Sequence, residues 1–354
     1  MNAEFIGALA QIEKEKHVSK EVLIDAIEAA LISAYKRNFG SSQNVTVHID
    51  RLTGEVKVFA KKKVVTFVEN DLNEVSLEDA REISGAYEED DIAEIEVTPK
   101  KFGRIAAQTA KQVVVQRIRE AERGIIFSEY SNKENDIVTG IVQRADKGNV
   151  FIEMGKIEAV LAANEQVPGE QYQYGDRIKV YVIEVKKTSK GPQVYVSRTH
   201  PGLVKRLFEK EVPEIHDGIV AIKSISREPG SRSKIAVYSV DFNVDPVGAC
   251  VGQKGNRVQV VVEELRGEKI DIIKWSSDPA EYIATSLSPA KVLSVKVNET
   301  DKTAKVIVPD YQLSLAIGKE GQNARLAAKL TGWKIDIRSE TQVVGNTQEN
   351  AWSN

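Results

Sequence analysis

The sequence has few of the residues that carry catalysis or hold metals. Its 354 residues include one cysteine, Cys250. A single cysteine excludes an intramolecular disulfide and a C-x-x-C zinc pair, and it fits a reducing cytoplasm. The four histidines are far apart and lack a carboxylate or thiol at catalytic spacing: His17, His48, His200 and His216. No P-loop lysine motif or nucleophile elbow is present. We therefore expect no enzyme activity, no cofactor and no metal site.

Long apolar runs and a strong net charge are also missing. Charged residues, beginning with Glu4, interrupt the first apolar run, so it does not resemble a secretory signal, and no run approaches membrane-spanning length. The formal charge is −3, from 49 Lys and Arg against 52 Asp and Glu. Binding of nucleic acid by electrostatics alone needs many basic contacts, so the balance argues against that mode. Any such binding must be local.

One motif is present twice. The first copy, at 247–272, reads VGACVGQKGNRVQVVVEELRGEKIDI, and the second, at 315–337, reads LAIGKEGQNARLAAKLTGWKIDI. In each, a short apolar run enters a G-x-x-G turn and a helix-length run follows. That run stops at Gly267 or Gly332, where a helix end favours a left-handed residue, and a strand beginning with K-I-D-I comes next. The duplication indicates a repeated structural unit.

A glycine turn between two helices allows backbone N–H groups to approach a phosphate closely. This is how the G-x-x-G loop of KH modules clamps a short single-stranded backbone. The element order α-β-β-α-α-β around each copy is that of the bacterial, type II, KH fold. We predict RNA contacts from both loops and the residues that follow them: Gly252, Gln253, Lys254, Gly255, Asn256, Arg257, Gly318, Lys319, Gly321, Gln322, Asn323 and Arg325. Glu320 places an anion in the second loop, which predicts weaker binding there.

Closely spaced strands precede the first copy. Five short strands between about 137 and 197, with turns at 146–149 and 189–192, indicate an OB-type barrel. Gly140, Gly148 and Gly175 have the spacing of the ribosomal S1 subfamily. That subfamily often shows an exposed aromatic where this chain has Val150, and Phe151 is predicted on the opposite face. The barrel is either a weak RNA binder or a spacer.

The N-terminal part reads as a separate α+β domain. Residues 3–37 are predicted as one helix whose inner face carries Ile24, Ile27, Leu31 and Tyr35. A hairpin at Thr53-Gly54 is predicted to join strands 44–52 and 55–62, and the run 64–68 to extend the sheet.

A second long helix is predicted in this domain. Thr98 and Pro99 are predicted to start it and Arg123 to end it. Its predicted buried stripe consists of Phe102, Ile105, Ala106, Thr109, Ala110 and Val113. The opposite, exposed face has a basic character, from Arg104, Lys111 and Arg119.

The order of these parts resembles the NusA family of bacterial transcription factors. The resemblance is carried by DPVGACVGQKGNRVQ, ELRGEKIDI, SLAIGKEGQNARLA, LTGWKIDI and, near the N-terminus, FGRIAAQTAKQVVVQRIREAER. It implies a multidomain α+β fold with a polymerase-binding domain at 1–125, an S1-type OB barrel at 134–199 and two type II KH domains at 200–276 and 277–345. Residues 346–354 are predicted to be a polar, disordered tail.

The resemblance also implies a function. Members of this family are non-enzymatic elongation factors that bind RNA polymerase core, nascent single-stranded RNA and RNA hairpins. They promote hairpin pausing and intrinsic termination, and they join antitermination complexes with other Nus factors. We expect a cytoplasmic monomer without membrane contact. In the family, basic residues of the N-terminal domain lie near the RNA exit channel and the hairpin, and the matching positions are Lys36, Arg37, Arg104 and Lys111. Some members carry C-terminal acidic repeats, which this sequence does not show up to Asn354, so functions tied to them are not expected.

Two other classes use the same modules. One is an RNA-decay architecture, in which KH and S1 modules follow large catalytic domains that are missing here. The other is a protein of ribosome assembly or an RNA chaperone that does not act through polymerase. Phosphate-dependent RNA degradation would support the first class, and co-sedimentation with ribosomal subunits but not polymerase would support the second.

Overall fold

The computed structural model describes residues 3–39 and 44–342, so the predicted tail at 346–354 lies outside the described residues. The chain divides into two compact units, residues 1–126 and 127–354. The first unit mixes helices with a four-stranded sheet, and the second contains a closed barrel and two three-stranded sheets with their helices. Of the helices in the described ranges, none combines the length and apolar character that a membrane span requires.

The first unit begins with two helices, α1 (Ala3–Lys16) and α2 (Lys20–Phe39). The prediction of one continuous helix over 3–37 is therefore wrong. The chain breaks at His17, which has a positive φ of 56°, and a side-chain oxygen of Glu13 then accepts the N–H of Lys20 at the start of α2. The predicted inner face of α2 is confirmed, since its four apolar residues are all buried.

The sheet of the first unit consists of β1 (Val45–Ile49), β2 (Val56–Val65), β3 (Glu74–Ser76) and β4 (Ile92–Glu96). The predicted hairpin between β1 and β2 is confirmed, with Gly54 at φ 71°. The predicted separate strand at 64–68 is wrong, because Val64 and Val65 are the end of β2. The strands that extend the sheet are β3, parallel to β2, and β4, antiparallel to it. A short helix that was not predicted, α3 (Leu77–Ile83), begins after Ser76, whose side chain caps it.

A long helix, α4 (Phe102–Ser131), closes the first unit and enters the second. Both predicted ends are wrong. Thr98 does not cap the helix, since its hydroxyl accepts the N–H of Val58 in β2, and the helix continues past Arg123. The predicted stripe is confirmed: Phe102, Ala106 and Ala110 are buried against α2, β1 and β2.

The barrel consists of five strands: β5 (Ile137–Asp146), β6 (Asn149–Glu153), β7 (Glu158–Leu161), β8 (Arg177–Thr188) and β9 (Gly191–Ser197). They close in the order β5-β6-β7-β9-β8, with β7 parallel to β9 and the other pairs antiparallel. The predicted OB-type barrel is confirmed. Gly140 is required on β5 because a Cβ there would lie 2.4 Å from a methyl carbon of Ile152 on β6.

The first KH domain follows with α5 (Pro201–Glu211), α6 (Pro213–His216), β10 (Val220–Glu228), β11 (Arg232–Ser239), α7 (Pro246–Val251), α8 (Asn256–Glu264) and β12 (Lys269–Lys274). In its sheet, β10 is antiparallel and β12 parallel to the central β11. The helices cover one face around Leu203, Phe208 and Cys250. The predicted element order is confirmed, with α6 as an additional turn.

The second KH domain repeats this arrangement with α9 (Pro279–Ser286), β13 (Ser294–Asn298), β14 (Thr303–Val308), α10 (Leu313–Ile317), α11 (Gln322–Thr331) and β15 (Lys334–Ser339). Its sheet has the same order and the same strand directions. Gly332 ends α11 at φ 76°, as predicted, whereas α8 ends at Glu264, three residues before Gly267.

Buried polar contacts join the barrel to the first KH domain. The side chain of Arg198, 1 % exposed, pairs with Glu170 in the barrel and donates to the carbonyl oxygen of Glu264 at the end of α8, at 3.0 Å. Arg266 donates back to the carbonyl oxygen of Gln171 at 2.6 Å. Since a buried guanidinium needs all its partners, these contacts fix how the two modules meet.

The two KH domains also share an interface. Tyr282 and Leu330 of the second domain pack with Ala236 and Ile273 of the first. The carbonyl oxygen of Leu330 accepts from Tyr282 at 3.2 Å and, across the interface, from the hydroxyl of Ser224 at 3.0 Å. The three modules of the second unit are thus packed in sequence.

Candidate nucleic-acid interface

The two G-x-x-G loops have the same backbone conformation. Gly252 has φ 73° and ψ 177°, and Gly318 has φ 77° and ψ 171°. Two residues on, Lys254 has φ 53° and ψ 23°, and Glu320 has φ 53° and ψ 25°. The loops differ in both middle residues, so their common shape comes from the glycines and from the packing of the flanking helices.

The first glycine of each loop is required by close packing. A Cβ on Gly252 would lie 2.4 Å from the side-chain oxygen of Asn256, and one on Gly318 would lie 2.8 Å from the backbone nitrogen of Asn323. Any side chain would force the loop away from the helix that follows it. These glycines therefore keep the loop against the first turn of α8 or α11.

The second glycine of each loop is required by conformation, and the space beside it is open. Gly255 has φ 79° and Gly321 has φ 75°, in the left-handed region that favours glycine. The atom nearest to a Cβ added at either position is 3.9 Å away. A ligand backbone could approach the loop from this side.

In both loops, the residue two positions after the second glycine holds the turn closed by a hydrogen bond from its side chain. There Arg257 donates from Nη1 to the carbonyl oxygen of Ala249 at 2.6 Å, and Asn323 donates from Nδ2 to that of Leu315 at 3.4 Å. Each carbonyl lies three residues before the first glycine of its loop. Arg257 also pairs with Glu214 of α6 at 2.9 Å. Both side chains thus close the turn.

Asn323 is a correction to the predicted contact residues. It is 4 % exposed, and its amide also donates to the carbonyl oxygens of Leu287 and Ala316, at 3.0 and 3.1 Å. A buried amide with these partners does not reach a base. The sequence did not reveal this because Leu287 is 36 residues away along the chain.

Two other predicted contacts of the second loop lie at the interface with the first KH domain. Gln322 donates to Glu228 at 2.9 Å and to Ser231 at 2.7 Å, and Arg325 pairs with Glu228 at 2.6 Å. Hydrogen bonds from these two partners hold the pKa of the Glu228 carboxyl below its ordinary value. Gln322 and Arg325 therefore connect the domains as well as following the loop.

The side chains free to meet a ligand are those in the middle of the loops. Gln253, Lys254, Lys319 and Glu320 are all exposed, as is Asn256 at the start of α8. At the third loop position the first copy thus presents a cation and the second an anion, on the same backbone.

A groove lies beside the second loop, between the KH domains. Its volume is about 390 Å³. Gly318 and Lys319 line it from the second domain, and Arg232 and Lys269 from the first. Arg232 is paired with Asp271 at 2.7 Å, which leaves Lys269 and Lys319 as the cations of the groove that are available to a phosphate.

The barrel surface carries two aromatic rings, Phe151 and Tyr195, and the prediction that placed Phe151 on the opposite face is wrong. Phe151 points outward, while Val150 and Ile152 point into the barrel. Phe151 pairs with Val160 of β7, and Val160 pairs with Tyr195 of β9. Phe151 and Tyr195 therefore lie in one row across three strands. The guanidinium of Arg144 lies 3.6 Å above the ring of Phe151, and Lys186 lies 5.3 Å above that of Tyr195. Rings and cations together form a surface suited to single-stranded nucleic acid.

Models of known families match almost the whole chain. The NusA N-terminal domain matches residues 4–124, the S1 RNA binding domain 131–197, the NusA-like first KH domain 198–275 and the NusA-like second KH domain 279–344. The transcription termination/antitermination protein NusA of Bacillus subtilis is 64 % identical over 96 % of this chain and 92 % of its own length. The chain belongs to the NusA family.

Other NusA proteins agree with this assignment. The NusA of Halalkalibacterium halodurans is 63 % identical over 97 % of this chain and 90 % of its own length. The NusA of Thermus thermophilus is 44 % identical over 99 % of this chain and 92 % of its own length. A solution structure of the N-terminal domain of B. subtilis NusA is 60 % identical, covers 35 % of this chain and 99 % of its own, and has a TM-score of 0.32.

The basic residues implied by resemblance to the NusA family lie on two helices of the first unit. Lys36 and Arg37 are exposed in the last turn of α2, and Arg104 and Lys111 are exposed on α4. Within residues 3–39 and 44–342, none of the four makes an ion pair. The ring of Tyr35 packs against that of Phe102 with centroids 5.8 Å apart, so the end of α2 lies against the start of α4. The two helices that carry these residues are therefore neighbours in the first unit.

The structure shows no candidate metal centre among the described residues. Cys250 is buried, and burial raises the pKa of its thiol to about 12. We expect a thiol-specific reagent at pH 8 to leave Cys250 unmodified in the native protein and to modify it fully in denaturant. Absorbance of the group that the reagent releases measures the modification of the native and of the denatured protein. Rapid modification without denaturant would contradict the buried position of Cys250.

Proposed function

We propose that this member of the NusA family is a non-enzymatic transcription factor that acts on RNA polymerase while holding the nascent RNA. In this proposal residues 1–125 bind the polymerase core, and the barrel at 134–199 and the KH domains at 200–276 and 277–345 bind single-stranded RNA. The factor promotes hairpin pausing and intrinsic termination and takes part in antitermination with other Nus factors, as a monomer in the cytoplasm.

The proposed RNA binding rests on one observation, that the two G-x-x-G loops have the same backbone conformation. Each presents exposed middle residues and an open side at its second glycine, next to the N-terminus of a helix whose first N–H groups favour an anion. The G-x-x-G loop of a KH domain binds single-stranded backbone in this way. The groove beside the second loop reaches residues of the first domain, and the proposal places part of the strand along it.

The barrel is included as an RNA contact because of its outward row of rings. Phe151 and Tyr195 each have a cation above the ring. Stacking of a base on such a ring contributes about 1–3 kcal/mol. This supports RNA binding by the barrel over a purely structural role as a spacer.

The basic surface on α2 and α4 is proposed to contact the RNA hairpin at the exit channel. Lys36, Arg37, Arg104 and Lys111 are four exposed cations on two neighbouring helices, and none of them forms an ion pair within the described residues. A folded hairpin concentrates phosphate charge, and such a surface attracts it strongly at low salt.

The proposal is tested by single-round transcription on a template with a hairpin pause, using polymerase from a close relative. We expect the full chain to lengthen the pause at least about twofold, and replacement of the four basic residues by alanine to remove most of this effect by removing their attraction for phosphate. A matched control replaces four other exposed lysines of the second unit, Lys190, Lys291, Lys296 and Lys305, and should leave the effect in place.

Failure of the full chain to bind polymerase would overturn the proposal. If it binds RNA and sediments with ribosomal subunits instead, the ribosome-assembly function replaces it. Phosphate-dependent loss of RNA in the presence of the pure protein would support the RNA-decay alternative.

A further inference from the structure

The first KH domain has a longer connection than the second between its central strand and its first loop helix. Val237 pairs with Lys274, and at the matching place in the second domain Val308 pairs with Ser339. Fifteen residues separate Val237 from Gly252, but only ten separate Val308 from Gly318. The extra five residues lie between β11 and α7.

This connection carries an aromatic side chain with no packing role. Phe242 is fully exposed to solvent. Beside it, Tyr238 is at the end of β11 and Trp275 follows β12, with ring centroids 5.6 Å apart at 87°. We call Tyr238, Phe242 and Trp275 the aromatic shelf. The second domain has Pro309 and Glu340 at the places of Tyr238 and Trp275, so the shelf belongs to the first domain alone.

A lysine is directed onto this shelf by a strand irregularity. The pairing of β10 with β11 shifts register between Ile222 and Ser224, which leaves Lys223 in a bulge. Its ammonium group lies 5.2 Å from the ring centre of Tyr238 and 5.4 Å from that of Trp275. Bulges commonly redirect a side chain in this way. The cation can therefore meet a ligand that covers the rings.

The shelf borders a cavity of about 530 Å³. Phe242, Trp275 and Lys274 line it, together with the carboxylate of Asp241 and Pro246 at the start of α7. Helix α7 has six residues and ends next to Gly252, which places the cavity and the first loop about 9 Å apart along one helix. A strand held at the loop can reach the cavity within a few nucleotides.

We propose that the aromatic shelf binds an unpaired nucleobase of the RNA strand that the first loop holds. This rests on the proposed RNA-binding function and assigns a further base site to it. The base stacks on Phe242 and Trp275, Lys223 and Lys274 attract the flanking phosphates, and Asp241 accepts a hydrogen bond from an exocyclic amino group. RNA fits better than a protein partner because the apolar part is one exposed ring bordered by lysines and continuous with the loop.

The test measures binding of the full chain to a fluorescent, unstructured RNA of about ten nucleotides by anisotropy at fixed salt. We expect Phe242→Ala to weaken binding about fivefold. Tyr311→Ala is the matched control and should leave affinity unchanged, because Tyr311 is also a highly exposed aromatic, at 78 %, before the first loop helix of the second domain. Phe242 packs against nothing that folding needs, so both variants should fold.

A second arm uses an oligomer of the same length that retains the sugar–phosphate backbone but carries no bases. Wild-type protein and Phe242→Ala should bind it equally, because only stacking distinguishes them. Three outcomes would overturn the shelf as a base site: unchanged RNA affinity of Phe242→Ala, equal loss of affinity on both oligomers, or an equal effect of Tyr311→Ala. Absence of RNA binding by the wild-type chain would instead overturn the proposed function itself.

Discussion

Replacing Lys254 by glutamate is expected to weaken binding of single-stranded RNA about tenfold, and replacing Glu320 by lysine to strengthen it several-fold. The two residues occupy the same place on loops of the same shape, with φ 53° in each. Each substitution gives one loop the charge that the other already has, so neither introduces a residue type foreign to that conformation. The affinity change therefore reports charge at the phosphate path.

The measurement is a titration of labelled RNA at several salt concentrations. Removing one phosphate contact should reduce the slope of log affinity against log salt by about 0.7 for a single strand. Lys296→Glu is the control, because this substitution makes the same change in net charge. Lys296 is exposed on β13, at the opposite edge of its sheet from β15. Equal effects of Lys254→Glu and Lys296→Glu would show that net charge, not the loop, governs binding.

Replacing Glu268 by alanine is expected to lower the free energy of unfolding of the second unit by about 3–5 kcal/mol. The Glu268 carboxylate is fully buried and accepts from Arg227 at 2.9 and 3.0 Å, from the N–H of Gly230 at 2.9 Å and from Ser233 at 2.6 Å. The side chain of Arg227 is itself only 1 % exposed. Removing the carboxylate leaves a buried cation without its counter-charge, which is among the most costly single changes.

Urea unfolding followed by tryptophan fluorescence measures this, because the sequence has no tryptophan in residues 1–126, while Trp275 and Trp333 lie in the second unit. Glu263→Ala, at an exposed position of α8, should change stability by less than about 0.5 kcal/mol. Replacing both Arg227 and Glu268 by apolar residues should recover much of the loss, since no charge is then left unpaired. A single Glu268→Ala variant as stable as the control would contradict the role of this pair.

The fold was predicted well where neighbours along the chain decide it. Apolar residues at helical spacing identified the inner faces of α2 and α4, and alternation identified the five barrel strands. Errors occurred at ends and breaks. The break at His17 was missed although the contact beside it is local, since Glu13 accepts the N–H of Lys20 seven residues later. Thr98 has the sequence of a cap, but its hydroxyl accepts from Val58, 40 residues away.

The candidate site divides in the same way. The loops themselves were predictable, because glycine readily adopts the positive φ angles that the first and last positions of each turn require. The roles of the residues after the loops were not. Asn323 was predicted to meet a base and is instead buried, while Gln322 and Arg325 contact Glu228, 94 and 97 residues away.

The sequence by itself determined the family, the modules and the two glycine loops, because helix period, strand alternation and glycine turns depend on residues a few positions apart. Only the tertiary structure decided which side chains face a ligand. Closure of the barrel set Phe151 outward, packing of Tyr35 on Phe102 brought α2 against α4, and the strand bulge directed Lys223 onto the aromatic shelf. These outcomes depend on contacts between distant segments, which form only when the whole core packs.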